Sequence, residues 1–134
     1  MDQFGQNQFV PGMKSSLFSP DQLVSGPLQL VTDSVTIGVS GTILKRGTVL
    51  GMVTASGAFI PSKKNAKDGS EKPLAILADD VNATTIAQTG GVYLMGEFNQ
   101  HRLIFDATWT LAELKVQLRP MAIFLRGSIQ APVS

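Results

Sequence analysis

Residues 44–57 read LKRGTVLGMVTASG. Two basic residues precede three glycines and several hydroxyl side chains, the ingredients of a phosphate cradle. A Walker-type loop needs a glycine, four residues, then Gly-Lys-Ser/Thr, set between a strand and a helix. Here the basic pair comes before Gly47, and only three residues separate Gly47 from Gly51. The segment that follows, TVLGMVT at 48–54, is a short apolar strand, so no helix N-terminus faces an anion. The dinucleotide fingerprint fails on the same ground. Gly47, Gly51 and Gly57 read instead as residues that shape backbone at turns and bulges, with Lys45 and Arg46 on the surface. Ala55-Ser56-Gly57 turns the chain and AFI at 58–60 resumes, which predicts a β-hairpin.

Working outward, LQLVTDSVTIGVS at 28–40 alternates through Val31, Val35, Ile37 and Val39, a period of two that predicts a strand with one buried face. After the hairpin, PSKKNAKDGSEKP at 61–73 is a polar loop with Asp68-Gly69 at its tip. LAILA at 74–78 is a short buried strand. Asp79 and Asp80 turn the chain, and 81–91 is a Thr-, Ala- and Gly-rich connection. VYLMGEF at 92–98 is a strand closed by a turn at Asn99-Gln100, and Leu103-Ile104-Phe105 is ambiguous. TWTLAELKVQLRP at 108–120 carries the one good helix signal. Thr110 as N-cap with Glu113 three residues on is a capping box, and Trp109 with Leu114 makes a hydrophobic staple. Leu111, Leu114 and Leu118 share a face. Pro120 stops the helix by pushing Arg119 out of the α region. MAIFL at 121–125 is a last strand. The sum is a mostly β domain with one short α-helix.

Composition bounds the function. A chain of 134 residues suggests one domain with a core that needs no staples. There are no cysteines and one histidine, so disulfides and thiolate or multi-histidine metal sites are excluded, and no cofactor is expected. A net charge of +1 is no nucleic-acid footprint. Charged residues are 16% of the chain, against about 25% in ordinary soluble domains; such a surface suits burial in an assembly. No apolar run reaches a membrane span, and MDQFGQNQFVPG lacks the features of a signal peptide, so synthesis in the cytoplasm is expected.

Residues 1–27 differ from the rest. They carry three charges, Asp2, Lys14 and Asp21, and three of the seven phenylalanines, yet show no sustained period. Such a segment cannot offset its ordering entropy alone. We read it as a flexible N-terminal arm that orders against a partner through Phe4, Phe9, Val10, Leu17, Phe18 and Leu23, the alternative being a segment packed on its own domain, followed by a single β-rich domain over 28–134.

No catalytic constellation emerges. Asp79 and Asp80 are adjacent, so on a strand they would point to opposite faces. No G-x-S-x-G elbow surrounds a serine for His101 to serve. Lys63, Lys64, Lys67 and Lys72 read as a solvated loop, with no interleaved aromatic for stacking bases.

Four blocks carry a resemblance that runs from about residue 42 to residue 127: LKRGTVLGMVTASGAFIPS, DGSEKPLAILADDVNAT, GGVYLMGEFN and WTLAELKVQLRPMAIFLRG, in this order. Together they resemble the bacteriophage lambda-type head decoration proteins. The resemblance implies a β-tulip, a small barrel or sandwich, that forms homotrimers. It implies a structural virion protein on the outer surface of the expanded capsid, at three-fold and quasi-three-fold sites. There it would cement the major capsid protein against internal DNA pressure, its arm adding as a strand to a shell edge. Direct nucleic-acid or membrane contact and catalysis are not expected. The alternative is a virion-associated carbohydrate-binding or adhesive β-module. Against it, Tyr93 and Trp109, the natural sugar platforms, both read as buried.

Overall fold

The computed structural model describes residues 22–127. Among the described residues eight strands are formed: β1 (Val31–Ile37), β2 (Ile43–Leu44), β3 (Val49–Met52), β4 (Phe59–Pro61), β5 (Pro73–Leu77), β6 (Val81–Asn82), β7 (Gln88–Asn99) and β8 (Ile123–Arg126), with one α-helix, α1 (Leu111–Leu118). The main sheet runs β1-β4-β3-β5-β7-β8, and β1 also pairs with β7. That extra pairing closes five strands into a small barrel. β8 adds in parallel to the last residues of β7, from Gly96–Ile123 to Asn99–Arg126. A two-stranded sheet of β2 and β6 accompanies the barrel.

The expected hairpin is β3–β4, antiparallel with Gly51 opposite Ile60. Its glycines shape backbone as read. Gly57 has φ +76 and Gly47 φ +98, and at Gly51 a side chain would fall on the carbonyl of Ser70. Gly47 is constrained twice, since a β-carbon there would also lie 2.7 Å from the carbonyl oxygen of Arg102. The polar loop does not project freely. Thr54 N donates to Asp68 O at 2.8 Å, and Ser62 Oγ donates to Ser70 O at 2.6 Å, folding it back over the hairpin.

Strands buried on both faces explain the continuous apolar runs. On β5, Ala75 and Leu77 enter one core cluster with Ile37, Leu50, Phe59 and Val92. Ile76 between them joins the other, with Val49, Tyr93, Phe98, Trp109, Leu114, Leu118 and Ile123. The first cluster fills the barrel; the second lies between its outer wall and α1. Thr110 caps α1 through its side chain and Glu113 returns the bond, so the capping box is complete. Trp109 and Leu114 both lie in the second cluster, as a staple requires.

Four expectations are corrected. Arg119 is helical, with φ −58 and ψ −44. Pro120 instead sits at the start of a 3-10 turn, Arg119–Met121, and the chain turns out at Ala122, which is left-handed with φ 61. Pro120 therefore tightens the helix end, as a proline in a first turn can, and Ala122 terminates it. On β1 the alternating face is largely uncovered: Ile37 is buried, but Val31 is exposed, and Val39 beyond the strand is 55% exposed. The stretch 81–91 is not a plain connection, because it forms β6 and the first residues of β7, where Gly90 opposes Val35. Finally, Arg46 is half-buried and cross-links the barrel, as described next, while Lys45 remains exposed.

Candidate assembly surfaces

Among the arm residues, Phe4, Phe9, Val10, Leu17 and Phe18 lie outside the described residues. Leu23 lies inside them and is 1% exposed, packed in the second core cluster. Its carbonyl accepts from Asn99 N at 2.7 Å, and Ser25 N donates to Glu97 O at 2.9 Å. Val24 thereby bridges Phe98 in antiparallel fashion. So residues 23–25 pack as part of the domain, short of the boundary expected at 28. The described chain starts just before them at Gln22, whose side-chain oxygen accepts from Arg102 Nη2 at 3.3 Å.

The opposite edge of β7 holds β8: Gly96 N donates to Ala122 O at 3.1 Å. Asn99 thus has Leu23 on one side and Arg126 on the other. Adjacent strands lie about 4.8 Å apart, so both ends of the described chain emerge within about 10 Å at one end of β7.

The basic pair of the opening stretch has structural partners. Asp80 accepts from Arg46 N at 2.7 Å and faces Lys45 Nζ at 3.6 Å. Arg46 Nη1 donates to Ala78 O and to Tyr93 Oη, each at 2.8 Å. Its guanidinium carbon lies 5.5 Å from the Tyr93 ring centre. Arg46 is thus engaged by the protein's own carbonyl and hydroxyl, and Asp80 by the Lys45–Arg46 segment. Sequence spacing could not reveal this cross-link, because it joins residues more than thirty positions apart in sequence.

In the lysine loop, Lys64 pairs with Glu113 of the capping box, and its backbone N–H donates to Thr108 Oγ1 at 2.9 Å. The ammonium of Lys64 and then the backbone of Thr110 hold the Glu113 carboxyl below its ordinary pKa. Hydrogen bonds from the Ser70 side chain and backbone do the same for Asp68, as the Thr108 backbone and hydroxyl do for Asp106. These carboxylates accept local turn bonds. Their chemistry is that of loop fastening, and among the described residues no group of three or more acids or histidines is arranged to hold a metal. His101 is exposed in a 3-10 turn at Gln100–Arg102. Tyr93 and Trp109 are 8% and 7% exposed, too covered to serve as sugar platforms.

What the surface does offer is contact area. Among the described residues Val31, Val39, Ile43, Ile86, Ile104, Val116, Met121 and Phe124 are the exposed large apolar side chains. No helix among the described residues is long and apolar enough to cross a membrane.

No curated protein sequence matches the chain in direct comparison. The model of the family described as bacteriophage lambda head decoration protein D matches residues 13–122. The match carries the resemblance back from residue 42 to residue 13, into the later part of the arm. With well over half of its length matched, the chain belongs to the bacteriophage lambda head decoration protein D family.

Proposed function

We propose that this phage head protein binds the outer surface of the expanded capsid as a homotrimer, at three-fold and quasi-three-fold sites, and cements the shell against the pressure of packaged DNA. The observation that carries this reading is a family match that runs from residue 13 through the barrel and helix, taking in the later arm and the domain as one unit. The arm carries Phe4, Phe9, Val10, Leu17 and Phe18 ahead of a domain that anchors its root at Leu23. A sequence with spaced apolar side chains suits strand addition to an exposed sheet edge. Three such arms on one trimer engage together, so weak single contacts become tight in combination.

Homotrimer formation accounts for the exposed apolar residues and for the low charge, since flanks covered by sister subunits need neither charge nor hydration. No catalysis is proposed, and the major capsid protein is the partner. The experiment is electron microscopy of expanded heads with and without the protein. Added density in threes on the outer surface is the expected result. Density that is absent, internal or of another symmetry would remove the proposal.

A further inference from the structure

Charge is unevenly spread along the chain. Residues 34–44 and 81–96 contain no Asp, Glu, Lys, Arg or His. The fold brings these two runs together. β1 lies against the start of β7, with Thr36 opposite Thr89 and Ile37 opposite Gln88. β2 lies against β6, with Ile43 opposite Asn82, and Ser40 N donates to Ala83 O at 3.0 Å. A third uncharged run, 47–62, joins them where Gly38 N donates to Phe59 O at 2.9 Å. These runs carry Val39, Ile43 and Ile86, which are 55%, 51% and 68% exposed.

Charged groups stand at the borders of this sector. Lys45 follows β2, Asp80 precedes β6, and Lys63, Asp68 and Asp106 line the cleft beside Val39. Within the sector, polar side chains are engaged locally. Thr84 Oγ1 donates to Asn82 Oδ1 at 2.8 Å, and Ser40 Oγ donates to Thr42 O at 2.9 Å. Covering these groups does not strand them without a partner, which is the costly outcome for a polar atom. Apolar side chains set among such groups mark a contact surface.

Neutrality says what the contact is with. Around a rotation axis each residue near the axis faces its own copies. Any charge there meets its own sign at short range and is repelled. A different protein imposes no such rule, because it can answer a charge with the opposite one. Contacts between identical chains are also depleted of charge and more apolar at their centre than contacts between unlike ones.

We propose that this uncharged sector, centred on Ile43 and Ile86, is where copies of this chain meet, and that it assembles the free protein. This rests on the homotrimer reading above and gives that trimer its contact surface.

The test is sedimentation velocity of the full chain over a concentration series, without heads. Wild type is compared with I43D/I86D, which places acid on two exposed positions; thermal melts check that it folds. The control is V116D, since Val116 is exposed on α1, which packs on β5 and β8. Wild type and V116D should sediment as trimers where folded I43D/I86D is a monomer, the double variant associating at least about a hundredfold more weakly. Hydrogen exchange needs no variant and decides the matter if I43D/I86D does not fold. Ile43–Leu44 and Val81–Asn82 should exchange more slowly in the trimer than in wild type diluted to monomer. If folded I43D/I86D stays trimeric, if V116D dissociates equally, or if exchange in β2 and β6 is the same in both states, this sector is not the contact, and the homotrimer reading stands without it. If wild type is monomeric throughout, the inference falls, while density in threes on heads would still uphold the function above.

Discussion

Arg46 Nη1 sits 2.8 Å from both the Ala78 carbonyl oxygen and the Tyr93 hydroxyl, with its guanidinium over the Tyr93 ring. One side chain from the segment before β3 thus ties down the end of β5 and the middle of β7. Arginine suits this task because its planar fork donates in two directions while stacking on an aromatic face. Replacing Arg46 with Ala leaves a nearly buried hydroxyl and a carbonyl short of a donor. The expected cost is about 1–3 kcal/mol in urea unfolding, and Tyr93→Phe should cost less, about 1 kcal/mol. Near-zero effects in both would mean the cross-link is ornamental.

The exit from α1 offers a stabilising change. Ala122 holds φ 61 and ψ 30, a left-handed conformation that costs an L-residue about 1–2 kcal/mol. Its hydrogen bonds are backbone ones, to Arg119 O and from Gly96 N, so a glycine keeps them. Ala122→Gly should raise stability by about 1 kcal/mol. Gly47→Ala should do the reverse and by more, because φ is +98 and the new methyl would press on Arg102 O. Thermal melts of the two variants should move in opposite directions.

Acid should loosen the loop fastenings. Asp68, Asp106 and Glu113 all have folded-state pKa values below the ordinary ones. Their contribution is therefore fully present above the ordinary carboxylate range and is lost as pH falls through the lowered folded values. The melting temperature should hold from neutrality to about pH 5 and fall below it. Lys64→Met removes the main cause at Glu113, so its acid decline should be shallower. Asp68 is exposed and Asp106 and Glu113 are partly exposed, so added salt should shrink the difference.

Much of the fold is legible in the sequence because the deciding signals are local. The hairpin follows from Gly57 and its flanking strands, and α1 from Thr110, Glu113 and the Trp109–Leu114 staple, all within a few residues of one another. The failures are non-local. Gln88, Thr89, Gly90 and Gly91 read as a connection, yet they pair with β1. A β-carbon at Gly90 would lie 2.8 Å from Ile37 Cγ1, so the glycine marks close packing by a partner remote in sequence. Val31 and Val39 alternate as a buried face would, but the domain alone does not cover them. Periodicity reports what a strand can bury, not which molecule buries it. Leu23 reads as part of the arm because its segment has no period, and only its place beside Asn99 puts it in the core.

That placement sharpens the central test. A deletion through residue 27 would strip Leu23 from the core, at an expected cost of about 2–5 kcal/mol from the lost side chain alone, and so would confuse unfolding with lost docking. Deleting residues 1–21 keeps the Leu23–Asn99 and Ser25–Glu97 bonds. The most direct measurement is the affinity of this truncated protein for expanded heads against that of the full chain, by co-sedimentation, with melting temperature as control. An unchanged melting temperature with binding lost or weakened about a hundredfold is the predicted result. A folded truncated protein that saturates the heads with the affinity of the full chain would contradict it.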